Sequence, residues 1–433
     1  MNLLKKIVPS FIKPYLSGLY KFLKRSAERK EIIYVRDFQL NLVKTIQKKE
    51  IINVIFIALH DSVWKYQKLY ELLENDQKFR PQIVIVPVVT EAKIDWENYN
   101  KTLNYFKTNN YNFLETYDKK KDKWLDINKL TNPDLVFFTN PHKLTFDKYY
   151  ITNFKDKLTC YSPYAFVVIH LIEMHYNQKF HKLIWKYFLE TKHHQKYLFQ
   201  FNKEYQNNGF ISGFPGLDKI FDNNYKADSV WKKTSEDKTW KIIWAPHHTI
   251  TGQDSGLNYS SFETYQEFFL ELLDKRKDIQ IAFKPHPLLK NKLYKKKKWG
   301  KNKTDEYYNS WKTSTNGQLE ESNYIDLFYT SDAMILDSAS FIVEYLFFNK
   351  PILFTMKDDK VKERFNSFGK EVFNYLYTAK KKEDLEEFIE YQVFKGDDFM
   401  REERNNFLQK EVLPKNGKTA SENIYHQIKK ELC

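Results

Sequence analysis

The sequence predicts an α/β protein of two doubly wound domains facing each other across a cleft, on three observations. The first is length, since 433 residues exceed one compact core and suit two domains of roughly 200 residues each. The second is alternation: short apolar, β-branched runs are separated by segments whose apolar residues recur every three or four positions. The third is a restart of that alternation after a polar stretch at 223–237. Hydrophobic residues form 42% of the chain, with 30 Tyr and 35 Phe, enough for a core in each half. A disordered chain or a small disulfide scaffold is excluded.

Residues 1–30 form an amphipathic basic segment, in which Leu3, Ile7, Phe11, Tyr15, Leu19 and Phe22 recur at helical spacing among lysines and arginines. That pattern suits helices lying on an anionic membrane surface, and Pro9 and Pro14 are expected to break it into short pieces. The first Rossmann-like domain is expected over 31–222. Its central strand is the run from Ile51 to Leu59, apolar apart from Asn53, as for a strand buried on both faces of a parallel sheet. A helix from Ser62 to Leu73 and a strand from Gln82 to Val89 complete a β-α-β unit. A helix around Asp95 to Thr108 follows, then strands near Tyr111 to Leu114, Asp134 to Thr139, Lys157 to Tyr161 and Lys196 to Gln200.

Gly209 to Asp218 concentrates three of the chain's 11 glycines around Pro215, which marks a forced turn and a hinge. After the linker at 223–237, the second Rossmann-like domain, 238–420, has strands at Trp240 to Ala245, Ile279 to Lys284, Ala333 to Leu336 and Pro351 to Thr355. Helices are expected at Ser260 to Lys275, Tyr324 to Thr330, Phe341 to Phe348 and Lys382 to Gln392, and a terminal helix over 421–433 closes the chain.

Lys and Arg number 70 against 56 Asp and Glu, a net charge of +14 that favours an anionic partner. Two cysteines, Cys160 and Cys433, allow neither a disulfide framework nor a zinc-ligand spacing. No metal or other cofactor is expected, and a reducing, cytoplasmic setting fits. No window approaches the ~20 apolar residues that cross a bilayer, so contact with a membrane would be peripheral.

Three polar segments follow strands of the second half, where open α/β sheets place ligand groups. They are Pro246-His247-His248, Lys284-Pro285-His286-Pro287 and Asp337-Ser338-Ala339-Ser340. Prolines on both sides of His286 restrict its backbone, and an imidazole so held can act as a general acid or donate to a phosphate. Asp337, Ser338 and Ser340 precede an amphipathic helix, whose N-terminus would offer hydroxyls and free N–H groups to an anion. Glu344, on that helix, would orient a ribose or cap a neighbour. Seven lysines between Asn291 and Lys303 surround Trp299, a run suited to a solvated loop, a polyanionic polymer or anionic lipid.

Together these segments resemble the CDP-glycerol glycerophosphotransferase family, the two-domain, GT-B-type enzymes that add polyol phosphates to teichoic acids and capsule polymers. The resemblance rests on Gly213-Phe214-Pro215 with Asp218, Trp244-Ala245-Pro246, Lys284-Pro285-His286-Pro287, Ser331-Asp332, Asp337-Ser338-Ala339-Ser340, Glu344-Tyr345-Leu346 and Lys350-Pro351. It implies metal-free transfer of glycerol phosphate from CDP-glycerol, or a related nucleotide donor, to a hydroxyl of a lipid-linked polysaccharide. The donor pyrophosphate would lie at Ser338 and Ser340, with Asp337, Glu344, Lys284, Pro246 and Gly213 around it. His286 would stabilise the β-phosphate or the departing CMP.

The family's Trp-His-Gly-Thr-Pro motif, source of its proposed general base, is absent; Cys160-Tyr161-Ser162-Pro163-Tyr164 stands there. His60, directly after the first strand, is the positional candidate for that role, with His247 and His248 as alternatives from the second domain. His170, His193 and His194 read as structural. Two other readings stay open: a glycosyltransferase using CMP-Kdo or a UDP-sugar in capsule or lipopolysaccharide synthesis, and a non-catalytic basic protein on membranes or nucleic acid. No recognised nucleic-acid motif accompanies the lysines, so no nucleic acid is expected as a partner.

Overall fold

The computed structural model describes residues 13–201, 208–234, 239–250, 256–321 and 324–433. It has two parallel sheets, each with helices on both faces. In the first, strands β1 (Ile52–Ala58), β2 (Phe79–Ile85), β3 (Phe113–Glu115), β4 (Leu135–Phe138), β5 (Leu158–Tyr161), β6 (Lys186–Leu189) and β7 (Gly209–Ile211) lie in the order 7-6-5-4-1-2-3. In the second, β8 (Trp240–Ala245), β9 (Ile279–Phe283), β10 (Gly317–Leu319), β11 (Ala333–Leu336), β12 (Ile352–Thr355) and β13 (Tyr377–Ala379) lie in the order 10-9-8-11-12-13. Each order reverses beside its first strand. That places a crevice at the carboxyl ends of β1 and β4 and another at those of β8 and β11, the sites where doubly wound sheets take ligands.

The strands form where the apolar runs are continuous. β1 buries six of its seven residues, leaving only Asn53 partly exposed, and pairs in parallel with β2 and β4. In the second sheet Trp244 of β8 stacks on Phe269 with centroids 4.3 Å apart, and Phe283 of β9 stacks on Trp311 at 5.0 Å. Buried aromatic pairs of this kind add about 0.5–1.5 kcal/mol beyond the area they bury.

Helix α1 (Lys13–Ile46) precedes the first sheet. Pro14 stands in its first turn, where no intrahelical N–H is needed; residues 1–12, including Pro9, lie outside the described residues. α1 runs unbroken through residue 30. It buries Ile32, Val35 and Ile46 against the domain and leaves Phe22, Leu23, Tyr34 and Leu40 exposed.

Several expected elements shift. The helix read from Ser62 is a short 3₁₀ turn, Asp61–Val63, followed by α2 (Gln67–Glu74). The second strand stops at Ile85, since Pro87 has no N–H to give a ladder. Helix α3 (Trp96–Thr108) starts at Asp95, whose carboxylate accepts the Asn98 N–H. The strand expected at Lys196 to Gln200 is instead helix α4 (Lys192–Phe201), which buries His194 and Leu198 four positions apart. The strand in that region is β6, ten residues earlier. Gly209–Ile211, read as a turn, is β7, paired with β6.

The glycine-rich segment after β7 docks the end of the chain. Helix α5 (Phe262–Lys275) and helix α6 (Gly300–Thr313) cover the second sheet. The expected helix at Phe341 is α7 (Phe341–Glu344), one α-turn that continues as 3₁₀ through Phe348. Helix α8 (Ala420–Leu432) then returns to the first domain, where Ile424, Ile428 and Leu432 join the cluster around Ile52 and Leu69. Asp218 accepts the Ala420 N–H at 3.1 Å and the Ser421 N–H at 2.6 Å, satisfying two free donors of the α8 N-terminus. Gly213 has φ +95°, and a Cβ there would come within 2.6 Å of Pro414 Cγ. A glycine is required on both counts.

Candidate active site

Three loops meet at the carboxyl ends of β8, β9 and β11. The His286 N–H donates to the Pro246 carbonyl at 3.0 Å, which ties the β9 loop to the β8 loop. Asp337, after β11, is buried, and its carboxylate accepts the His247 N–H at 2.5 Å, the Ser261 N–H at 2.5 Å and the Ser261 hydroxyl at 2.8 Å. The Ser261 Oγ lies 2.6 Å from Thr355 Oγ1 of β12. Asp337 therefore acts as a strut joining its own loop to those of His247 and Ser261, with its carboxylate turned to the protein. Pro246 likewise holds a loop through its carbonyl, and Gly213 serves the docking of α8.

The strut brings three imidazoles together. Ring centroids lie 4.2 Å apart for His247 and His248, 4.2 Å for His248 and His286, and 5.1 Å for His247 and His286. Tyr259 meets His247 edge to face at 5.5 Å, and its N–H donates to Thr249 Oγ1, which in turn lies 2.9 Å from His247 Nδ1. Burial pushes the His286 pKa down to about 3, with repulsion from His248 and the Lys292 ammonium adding to the effect. His247 falls well below its ordinary range for the same reasons. Both are neutral at pH 7.

Each histidine offers one ligand atom within 4.8 Å of the others, a spacing a metal ion could bridge. The His286 Nδ1 accepts the Leu288 N–H at 3.1 Å. A neutral ring that accepts at Nδ1 carries its proton on Nε2, which is then a donor and has no lone pair for a cation. With Lys284 buried beside it and Lys292 close enough to depress two of the rings, the site is electropositive. The donor set fits an anion better than a metal ion.

The remaining candidates fall around this centre. Ser338 is buried and Ser340 half-exposed, with the Ser340 N–H 3.4 Å from Ser338 Oγ. The single α-turn after them is too short to supply the dipole expected of a longer helix. Glu344 is buried and accepts the Tyr324 hydroxyl, which itself accepts from Lys65 Nζ at 2.8 Å. Burial raises its pKa to about 7. It belongs to a contact between the domains and does not face a ribose. Burial also lowers Lys284 to about 8.

His60 follows β1 on the other domain. Its Nδ1 lies 2.7 Å from Asn98 Oδ1, and the Asn98 amide donates to the Leu59 carbonyl, which turns Oδ1 toward the ring. The His60 proton is thereby placed on Nδ1, leaving Nε2 as a base. His170 and His193 tie the domains together: the His170 N–H and Nδ1 both meet the Arg364 carbonyl, and His193 Nε2 lies 3.0 Å from Glu411. Sequence reasoning missed Ser261, Tyr259, Lys65 and Tyr324. Only Ser260-Ser261 carried a signal, as a polar pair before a helix.

Residues 171–430 match the family described as CDP-Glycerol:Poly(glycerophosphate) glycerophosphotransferase. The chain belongs to that family. It is thus a member of a transferase family, as the motifs of its second half imply. No curated protein matches the chain. Among solved structures, a variant of the wall teichoic acid polymerase TagF is similar with a TM-score of 0.55 and 13% identity, over 96% of this chain and 98% of that one. MnaA of S. aureus, solved with UDP, has a TM-score of 0.54 and 15% identity, over 89% and 97%. The UDP-GlcNAc 2-epimerase of Neisseria meningitidis bound to UDP-GlcNAc has 0.53 and 12%, over 88% and 99%. At these identities the likeness shows the shared two-domain α/β fold.

Proposed function

We propose that this glycerophosphotransferase family member moves a polyol phosphate from a CDP-linked donor to a hydroxyl of a lipid-linked surface glycan, at the cytoplasmic face of a membrane. The observation that carries the reading is the convergence of His247, His248 and His286 with the serine loop at one strand-order switch point. The donor diphosphate lies against His286 Nε2–H, Lys284 and the Ser338–Ser340 loop. The acceptor hydroxyl oxygen attacks the phosphorus that carries the polyol. The P–O bond to CMP breaks, and the hydroxyl proton passes to His60 Nε2. Negative charge gathers on the transferring group and on CMP, where fixed donors lower the barrier most.

The assay is release of CMP from CDP-glycerol with a membrane acceptor, set beside CMP-Kdo and UDP-sugars. CDP-glycerol is expected to be consumed; release of UDP alone would reject the donor. His60→Gln is expected to lower kcat about 100-fold, as for loss of a general base, with the donor KM unchanged. A kcat within threefold of the parent would return the base to the second domain.

A bound diphosphate favours the protonated ammonium of Lys284, whose free pKa burial lowers to about 8. Binding then takes up protons above that value, and affinity is full below the free pKa and lost as pH rises through the bound one. Donor affinity is expected to fall from pH 8 to pH 10. Calorimetry of CDP-glycerol binding in buffers of different ionisation enthalpy reads this uptake, and Lys284→Gln should abolish it.

Membrane contact is assigned to the basic N-terminal segment and the exposed face of α1, where Phe22 and Leu23 are 67% and 56% exposed. Phe22→Glu with Leu23→Glu is expected to reduce sedimentation with anionic vesicles and to spare transfer to a soluble acceptor. Unchanged sedimentation would refute that assignment.

A further inference from the structure

Between the two domains lies a hollow of about 500 Å³, within the ~300–1,000 Å³ usual for small-molecule sites. One wall is the turn after β1 with α3; the other is the hinge and the approach to residue 325. Its floor is Lys65, whose Nζ donates to the Tyr324 hydroxyl, which donates to Glu344.

The charges of the lining cancel, with four lysines against four carboxylates. The four lysines are also paired with the carboxylates or with close neighbours: Lys101 lies 3.5 Å from Asp61, Lys68 3.7 Å from Asp222 and Lys219 3.4 Å from Asp326. A diphosphate or a polyol-phosphate chain entering here would meet carboxylates as often as ammonium groups and gain no net attraction. What the hollow does offer is alternating donors and acceptors between the rings of Tyr105, Tyr225 and Tyr324. Carboxylates accept from hydroxyls, ammonium groups donate to them, and ring faces cover C–H surface. That combination recognises an uncharged, hydroxyl-rich ring.

Its position links it to the chemistry. Asp61 and Ser62, in its wall, directly follow His60. Lys65 and Lys101 lie near enough to Lys284 for their charges to weaken its hold on its proton, so the hollow opens beside the loop that carries His286. The histidine centre, with Lys284 and Lys292 beside it, and this neutral hollow are chemically different halves of one cleft.

We propose that this hollow binds the acceptor, and that the end it takes is an uncharged sugar unit of a glycan in preference to a polyol-phosphate chain. The proposal rests on the transferase reading above. The test uses the full chain and saturation-transfer NMR with two probes: a panel of neutral trisaccharides built from glucose, galactose and N-acetylglucosamine, and a glycerol-phosphate trimer. Ring protons of at least one trisaccharide are expected to take up saturation, and Tyr225→Ala and Glu321→Gln are each expected to reduce it at least fivefold. In transfer assays Tyr225→Ala should raise the acceptor KM about tenfold.

Saturation of no panel member, glycan binding that survives both substitutions, or trimer binding that is lost with them would each overturn the proposal. Glycan binding lost in the variants, together with no CMP release from CDP-glycerol, would uphold the hollow and sink the donor assignment.

Discussion

Alanine at position 286 is expected to lower transfer at least ~100-fold with the folded structure retained. The ring lies in a loop between Pro285 and Pro287, and the backbone bond from His286 N–H to the Pro246 carbonyl does not involve it. What is lost is the Nε2–H donor, held in place by the Leu288 N–H at the ring's other nitrogen. A group that acts mainly on the departing nucleotide should appear in kcat more than in the donor KM. Glutamine keeps a donor at a different reach and is expected to fall between alanine and the parent. A His286→Ala rate within threefold of the parent would remove this imidazole from the reaction and, with it, the main support for a catalytic reading of the three loops.

Asp337→Ala is expected to be the more damaging change, because it removes the partner of two buried backbone N–H groups and one hydroxyl, contributed by His247 and Ser261 from two other segments. Each buried donor left without an acceptor costs about 1–3 kcal/mol, so a stability loss of about 3 kcal/mol or more is expected in urea denaturation. Activity should fall with it, since the His247 N–H would no longer be held. Asp337→Asn retains one good acceptor and is expected to lose about half as much stability. Ser340→Ala, by contrast, should raise the donor KM a few-fold and leave the denaturation midpoint unchanged. If Asp337→Asn shifted only donor affinity and left stability intact, the strut would be refuted and a ligand-binding carboxylate restored.

The fold was legible where residue type and spacing leave one solution. Ile52–Ala58 and Ala333–Leu336 are too apolar to sit anywhere but between two layers, and both are strands in the centre of their sheets. Lys186–Phe201 was misread because Lys-Tyr-Phe-Leu and Lys-Tyr-Leu-Phe are nearly the same four residues. Only the pairing of β6 with β5 and β7 tells them apart.

The site was legible as a set of loops, since His247, His248, His286 and the Asp337–Ser340 segment do meet. The aim of each side chain was not. Asp337 and Glu344 sit at polar positions after β11 and in α7, yet one faces backbone amides and the other faces Tyr324 and Lys65 from far along the chain. Such choices depend on which atoms the fold brings opposite, and no local pattern records them. Gly213 and Asp218 were legible as a forced turn, but not their contacts with Pro414, Ala420 and Ser421, two hundred residues later.

That last contact limits how the molecule can move. The polypeptide passes from one lobe to the other near Gly213 and comes back beside the same spot before α8. Two neighbouring threads behave like the paired pins of a door: they permit a swing about the line through them and resist a twist across it. Any swing of one lobe against the other would turn about that line.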